Sequence, residues 1–175
     1  MKKKIPVLLE TERLRIFPLS YAQLISYLEN DQSLEMELAL QFHPREVSPA
    51  LKEAFDETIL PAMERAGENY VFSTLWTVVL KDRQMMAGDL CFQGAPNEQG
   101  VTEIGYGSHE LFQGKGIMTE AVGVLVAWAF QQPDVLVVVA ETDPENIASQ
   151  RILEKNGFRQ TGVNGSHLCW RLDKP

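Results

Sequence analysis

A glycine-containing loop that runs into a long apolar segment constrains this chain more than any other feature. Residues 113–118 read Gln-Gly-Lys-Gly-Ile-Met, and residues 119–131 are apolar almost all round, which predicts a helix buried on more than one side. Gly114 and Gly116 allow backbone conformations closed to other residues and let a ligand approach the main chain. The first N–H groups of a helix have no internal partner and lie at the positive end of its dipole. The loop therefore predicts a binding site for a phosphate or diphosphate.

The spacing of the loop excludes two common nucleotide motifs. A P-loop carries Gly-Lys followed by Ser or Thr, whereas Lys115 is followed by Gly116 and Ile117. The dinucleotide motif Gly-x-Gly-x-x-Gly would place a glycine three residues past Gly116, where this chain has Thr119. The loop therefore predicts a nucleotide-type cofactor of another kind.

Length and charge favour one domain, residues 1–175, that acts on a cationic substrate such as an amine. A chain of 175 residues is long enough to bury one core. It has 24 acidic and 16 basic residues and a net charge of −8, which repels nucleic acid and anionic membranes and favours amines. Its apolar runs are shorter than the ~18 residues of a membrane span, and its first residues lack the features of a signal peptide. We therefore expect a cytoplasmic protein that binds neither nucleic acid nor membrane.

Cysteine and histidine usage predicts no metal site. Cys91 and Cys169 are too few for a disulfide framework or a zinc site, which suits a reducing compartment. His43, His109 and His167 are scattered without the spacing of metal ligands.

Hydrophobic periodicity predicts blocks of strand and helix in a fixed order. Residues 31–47 have no clear period and are predicted to be a loop that covers a site. The order predicts an α+β fold with a mixed, mostly antiparallel sheet flanked by helices and a βαβ crossover at its centre. The predicted elements are a strand over 14–18, a helix over 20–30, a helix from 48 that kinks or breaks at Pro61, strands over 72–80, 85–93 and 101–108, a helix over 119–131, a strand over 135–140, a helix capped by Asp143 and stopped at 156–157, and two strands within 158–172.

Four segments together resemble the GNAT superfamily of N-acetyltransferases, in the branch similar to ribosomal-protein alanine N-acetyltransferases. In chain order these segments are Leu9–Leu14, Glu103–Tyr106, Gln113–Met118 and Asn146–Phe158. Gln113 and Gly116 match the family's loop pattern, whereas Met118 replaces its final Gly or Ala. That departure matters little because the amide of this residue, not its side chain, would bind. The resemblance implies the GNAT acyl-CoA N-acyltransferase fold, in which the family's strands 4 and 5 splay apart.

The resemblance also implies acetyl-CoA as the cofactor. Pantetheine would lie between the splayed strands, the loop amides would bind the diphosphate, Asn146 would bind the pantetheine arm and Ser149 would approach the sulfur. For Gly105 and Gly107 the alternative is a β-bulge without function. The implied cofactor-binding residues are Tyr106, Gly107, Ser108, Gln113, Gly114, Lys115, Gly116, Ile117, Met118, Thr119, Asn146 and Ser149.

By the same resemblance, Glu103 and Ser149 are the candidate catalytic residues. Glu103 matches a position where several relatives carry a carboxylate that deprotonates the amine, although it could instead only bond a neighbouring strand or loop. Glu141 is a second candidate base, or a solvated strand end. Many relatives use a tyrosine four residues after Ser149 as general acid, but this chain has Leu153 there. Ser149 or a water would then protonate the leaving thiolate, and the alternative for Ser149 is helix capping and packing.

The resemblance implies an acetyl-CoA-dependent N-acetyltransferase that acetylates a primary amine by direct attack in a ternary complex. The acceptor would be a protein N-terminal α-amine or a small-molecule amine. The alternative is a non-catalytic acyl-CoA sensor or interaction module on the same fold, which the absence of the tyrosine favours. A homodimer is also expected from the family.

Overall fold

The computed structural model describes residues 7–175, so the basic start of the chain lies outside the described residues. The strands are β1 (Leu9–Glu10), β2 (Leu14–Pro18), β3 (Leu75–Leu80), β4 (Met85–Phe92), β5 (Val101–Ser108), β6 (Val137–Thr142), β7 (Arg159–Asn164) and β8 (His167–Asp173). The α-helices are α1 (Tyr21–Glu29), α2 (Ser33–Leu38), α3 (Pro49–Ala54), α4 (Leu60–Ala66), α5 (Ile117–Gln131) and α6 (Ile147–Lys155).

The strands form one eight-stranded sheet in the order β1-β2-β3-β4-β5-β6-β8-β7. Neighbouring strands are antiparallel except β5 and β6, which are parallel and joined by the crossover helix α5. The predicted α+β fold with a mixed, mostly antiparallel sheet is therefore confirmed. The family's strands 4 and 5 correspond to β5 and β6 because the short strand β1 precedes the expected first strand.

The sheet splits between β5 and β6. The two strands pair only where Val101, Thr102 and Glu103 face residues 137–139. Beyond Glu103, β5 continues to pair with β4 as far as Ser108, but it has left β6. A gap therefore opens at the centre of the sheet, as the resemblance implied.

Apolar side chains pack on both faces of the sheet. On one face, α5 and α6 cover a core that includes Trp76, Leu125 and Trp170. On the other face, α1–α4 cover a second core that includes Phe17 and Phe55. Each large side chain buried this way contributes roughly 1.5–3 kcal/mol of transfer free energy. The split sheet is therefore covered by a packed core on each face.

The prediction of a loop over residues 31–47 is wrong for Ser33–Leu38, which form α2. Glu35 of this helix pairs with Arg45, and their side chains are only 3% and 2% exposed. The Arg45 guanidinium also lies 4.3 Å from the centre of the Tyr27 ring. Two charges can be buried when they pair with each other. Because Glu35 is a buried charged residue, the hydrophobic periodicity of the sequence does not reveal α2.

Several predicted boundaries also moved. The helix expected from residue 119 begins at Ile117, and the strand expected over 135–140 is β6, Val137–Thr142. The strand expected from residue 72 begins at Leu75, because residues 67–72 form a 3₁₀ helix. The predicted cap at Asp143 is wrong: α6 begins at Ile147 with Asn146 as its N-cap. Asp143 instead closes a turn, since its backbone carbonyl accepts from the Asn146 N–H at 3.0 Å.

Pro61 does not break the helix in which it lies. A π-helical turn, Phe55–Ile59, follows α3, and α4 continues from Leu60. Proline has no N–H and crowds the preceding turn of an α-helix. The wider turn just before Pro61 accommodates that ring without interrupting the helix.

Of the helices within residues 7–175, none has the length and apolar character needed to cross a membrane.

Candidate functional site

The glycine loop presents a row of open backbone donors at the start of α5. Gly114 and Gly116 have φ values of 71° and 72°, the left-handed region that favours glycine. Within the described chain, no protein oxygen accepts from the N–H groups of residues 114–119. The first N–H to be bonded is that of Glu120, which donates to the Gly116 carbonyl at 3.2 Å. The loop therefore has the geometry of an anion site.

The side chain of Lys115 folds back onto the loop. Its ammonium group donates to the Leu111 carbonyl at 2.8 Å and lies 5.7 Å from the centre of the Phe112 ring. Lys115 therefore helps to fix the loop, and its positive charge stays beside the open amides.

A groove of about 570 Å³ runs from the loop to the start of α6. All twelve residues predicted to bind the cofactor line it, although their binding itself stays a prediction. Met118 contributes backbone, since its side chain is buried in the core. The structure thus brings three distant sequence segments together around one channel.

Sequence reasoning missed part of one groove wall. Four further residues of α6 line the groove, namely Ala148, Arg151, Ile152 and Lys155. Each lies three or four positions from two of the others, so they share one face of the helix. This spacing could have predicted that they line the groove together with Ser149. Because Arg151 and Lys155 are exposed cations, they make this wall attractive to an anionic ligand.

The edge of β5 that faces the gap carries unpaired backbone groups. Its pairing with β4 is in continuous register through Gly105 and Gly107, which lie opposite Cys91 and Asp89. The alternative that these glycines form a β-bulge is therefore wrong. The edge from residue 104 to 108 can instead bond an extended ligand as a further strand would.

Ser149 is held by hydrogen bonds from two directions. Its N–H donates to the Asn146 side-chain oxygen at 3.0 Å, which leaves the amide nitrogen of Asn146 as the end that can donate to a ligand. Its Oγ lies 2.9 Å from the Tyr106 hydroxyl, which is also 3.1 Å from the Ser149 carbonyl oxygen. Burial raises the pKa of Tyr106, and the Ser149 bond opposes this in part. Leu153 is fully buried.

Glu103 does not line the groove and lies on the other face of β5. It shares that face with Gly105 and Gly107, because side chains alternate along a strand. Its Oε1 accepts from the Gln93 side-chain nitrogen at 3.2 Å. Burial and the nearby charge of Glu141 raise the pKa of Glu103. Glu141 itself is exposed at the end of β6.

No three His, Cys, Asp or Glu side chains among residues 7–175 come together as metal ligands.

Comparison with known proteins decides the family. A family model described as "Acetyltransferase (GNAT) domain" matches residues 13–159. The chain is also 31% identical over 167 residues to the uncharacterized N-acetyltransferase YjdG of Bacillus subtilis (strain 168), covering 94% of this chain and 96% of that protein. This chain belongs to the GNAT acetyltransferase family.

Solved structures agree in fold with this GNAT acetyltransferase. The ribosomal-protein-S5-alanine acetyltransferase from Vibrio fischeri has a TM-score of 0.68 at 20% identity, covering 96% of this chain and 97% of that chain. RimL, a ribosomal L7/L12 α-N-protein acetyltransferase solved with coenzyme A, has a TM-score of 0.67 at 17% identity, covering 95% and 98%.

The GNAT protein is an acetyl-CoA-dependent N-acetyltransferase, which confirms the predicted family, enzyme class and cofactor. Its residues fit that cofactor. The open amides of the loop suit a diphosphate, and the groove leads from them to the gap in the sheet.

Proposed function

We propose that this GNAT enzyme acetylates a primary amine by direct attack on acetyl-CoA while both substrates are bound. The acceptor is a protein N-terminal α-amine or a small-molecule amine. The observation that carries the proposal is the row of open N–H groups from Gly114 to Thr119, in a groove that reaches the gap between β5 and β6.

The groove suits the parts of acetyl-CoA in order. The loop amides receive the diphosphate, and the exposed cations Arg151 and Lys155 add favourable charge. The pantetheine arm follows the free edge of β5, where its amides bond the backbone, and Asn146 donates from its side-chain nitrogen. This path brings the thioester to the gap, beside Ser149.

Approach of the two substrates from opposite faces of the sheet favours direct transfer. The donor enters from the side of α5 and α6, whereas Glu103 lies on the side of α1–α4. Cys91 lies on the acceptor side, opposite Gly105. Burial raises the pKa of its thiol to about 11, so it stays protonated near neutral pH and is a weak nucleophile. A route through an acetylated Cys91 is therefore disfavoured.

Glu103 acts as general base, and Glu141 is the second candidate. A base works best when its pKa approaches the working pH, and burial moves the pKa of Glu103 in that direction. Neutralising an α-amine of pKa ~8 at pH 7 costs about 1.4 kcal/mol, whereas a lysine amine of pKa ~10.4 costs about 4.6 kcal/mol. A carboxylate base is therefore better matched to an α-amine.

Two structural neighbours support a protein N-terminus as acceptor, since one is a ribosomal-protein-S5-alanine acetyltransferase and the other a ribosomal L7/L12 α-N-protein acetyltransferase. The net charge of −8 supports a cationic small amine equally well. A single domain over residues 1–175, a cytoplasmic location and a homodimer stay predictions. The free thiols of Cys91 and Cys169 suit the location.

Release of the CoA thiol over a panel of acceptors tests the proposal. The panel contains peptides with a free α-amine, the same peptides blocked at the α-amine but carrying lysine, and polyamines. We expect turnover with one class of free amine and a loss of at least tenfold in kcat for Glu103→Gln. Acetyl-CoA binding without turnover on any amine, or full activity of Glu103→Gln, would contradict the proposal.

A further inference from the structure

We infer that Tyr106 and Ser149 form a two-hydroxyl relay that delivers a proton to the departing sulfur of coenzyme A. Ser149 contacts the sulfur, and Tyr106 is the positioning residue behind it. The inference rests on the proposed function and adds to it the source of the proton that the missing tyrosine at Leu153 left open.

The two hydroxyls face each other across the groove. Tyr106 lies on the gap-side half of β5, and Ser149 lies in the first turn of α6. Their oxygens are 2.9 Å apart, and both residues line the groove. Leu153, one turn further along α6, is fully buried and has no proton to give. The hydroxyl of Tyr106, on β5, therefore lies at the start of α6, where Leu153 offers none.

The Tyr106 hydroxyl has one proton and two acceptors within reach, the Ser149 carbonyl at 3.1 Å and Ser149 Oγ at 2.9 Å. If the proton goes to the carbonyl, Oγ is the donor to Tyr106. The relay uses the other arrangement, in which Tyr106 donates to Oγ over the shorter distance. When Tyr106 donates to Oγ, the Ser149 proton is free to point into the groove. Chained hydroxyls polarise each other, which makes Ser149 a stronger donor than it would be alone.

Two further contacts fix the relay. The Asn146 side chain caps the Ser149 N–H at 3.0 Å, so the backbone of Ser149 cannot swing away. The ring of Tyr106 packs against the core beneath α5. Burial raises the pKa of Tyr106, which keeps its hydroxyl protonated at neutral pH and available as a donor.

Acetyl transfer requires one proton to be delivered to the sulfur. The amine nitrogen forms a bond to the acetyl carbon, the bond between that carbon and sulfur breaks, and its electron pair goes to sulfur. The Ser149 Oγ proton moves to sulfur, and the Tyr106 proton moves to Oγ. Tyr106, which is only half-buried, then takes a proton from water in the open groove. The proton lost by the amine leaves through the base on the opposite face.

The first test measures binding and needs no acceptor. A site that donates to sulfur prefers the thiolate of free coenzyme A. Its affinity for coenzyme A relative to desulfo-coenzyme A should therefore rise with pH as the thiol ionises. By titration calorimetry at pH 7 and pH 9.5, we expect this ratio to rise at least threefold in the wild type. In Tyr106→Phe and Ser149→Ala we expect no rise in this ratio, with the affinity of each variant for desulfo-coenzyme A serving as its own reference.

The second test measures kinetics. We expect Tyr106→Phe to lower kcat about 10–100-fold, up to the lower end of the range of acid catalysis because Ser149 stays in place, with the KM for acetyl-CoA within twofold. Because the two hydroxyls act in series, the double variant with Ser149→Ala should be no slower than the slower single variant. Tyr21→Phe is the control, since it removes an exposed hydroxyl bonded to Glu64 and should change neither measurement.

The outcomes separate this inference from the proposed function. If coenzyme A does not bind at all, the proposed function fails. If it binds and the wild-type ratio stays flat with pH, or Tyr106→Phe retains the full rise, the relay is wrong while acetyl transfer stands. Additive losses in the double variant would likewise overturn the relay. If Tyr106→Phe does not fold, Ser149→Ala alone decides through the binding ratio.

Discussion

The guanidinium group of Arg13 donates twice to one carboxylate oxygen of Glu120, at 2.8 Å from Nε and 2.5 Å from a terminal nitrogen. The other oxygen of Glu120 accepts from the Thr11 hydroxyl. Burial alone would raise the pKa of Glu120, but the bonds from Thr11 and Arg13 outweigh it and lower that pKa. Arg13 and Glu120 are 107 positions apart, so this ion pair joins the residue before β2 to the first turn of α5, beside the open amides.

This pair predicts how coenzyme A affinity responds to charge beside the loop. In Arg13→Met, the Glu120 carboxylate is left uncompensated and repels the diphosphate, so we expect the Kd for coenzyme A to rise about tenfold, or about 1.4 kcal/mol. The effect on folding should stay below about 1 kcal/mol because Arg13 is 46% exposed. Calorimetry should show that adding Glu120→Gln restores most of the affinity. A double variant as weak as Arg13→Met would mean that Arg13 itself contacts the ligand.

The pH dependence of turnover identifies the base. A carboxylate accepts a proton only when ionised, so kcat/KM should rise with pH through the pKa of Glu103, which lies above its ordinary value. Because the charge of Glu141 contributes to that shift, Glu141→Gln should move this acid limb to lower pH, and Glu103→Gln should abolish it. Rate profiles of the three proteins between about pH 4.5 and pH 8 check this. Loss of the limb in Glu141→Gln instead would assign the base to Glu141.

Much of the fold could be predicted because local patterns decide it. Alternation marks β2, a continuous apolar period marks α5, and Ser20 and Gln23 form a capping box at the start of α1, the predicted first helix. By contrast, α2 depends on the buried pair of Glu35 and Arg45, ten positions apart, whose burial no local pattern shows.

Most residues that line the groove were predicted from the sequence, but the contacts between them were not. Glycine spacing marked the loop, because few other residues adopt the conformation of Gly116. The contact between Tyr106 and Ser149 joins positions 43 apart, and the opposite placement of Glu103 depends on strand alternation across a split sheet. Such relations arise from tertiary packing and have no signature within one segment.

His109 should make folding stability depend on pH. Its two ring nitrogens lie 3.2 Å from the Met86 carbonyl and 3.0 Å from the Asp89 carboxylate, so only the protonated ring satisfies both acceptors. Burial lowers the pKa of His109, and Arg45 does so weakly, but the hydrogen bond and charge of Asp89 outweigh them and the net direction is upward. A raised folded-state pKa stabilises fully below the unfolded value of about 6.5, and this stability is lost as pH rises through the folded pKa.

The comparison with His109→Gln isolates that contribution. Urea unfolding should show that the stability advantage of the wild type over the variant is greatest near pH 6 and shrinks toward about pH 8 and above. Tyr27, which donates to the same Asp89 oxygen at 2.7 Å, stays protonated throughout because its pKa is raised by burial and by Asp89. A constant difference between the two proteins across this range would show that His109 does not titrate there.

Gly123 should respond to alanine in the opposite way to an ordinary helix glycine. In the middle of a helix, Gly→Ala usually stabilises by roughly 0.5–1 kcal/mol. Here an added Cβ would lie 2.7 Å from the side-chain oxygen of Asn156. Asn156 cannot simply move, because its nitrogen donates to the carbonyls of Thr119 and Ile152 at 3.0 and 2.9 Å, which joins α5 to α6. We therefore expect Gly123→Ala to destabilise the protein by about 1–2 kcal/mol.

In an Asn156→Ala background the clash is gone, so Gly123→Ala should stabilise the protein by up to about 1 kcal/mol. Urea denaturation of the four proteins measures this coupling, and an equal effect in both backgrounds would show that the two helices do not need glycine for their contact.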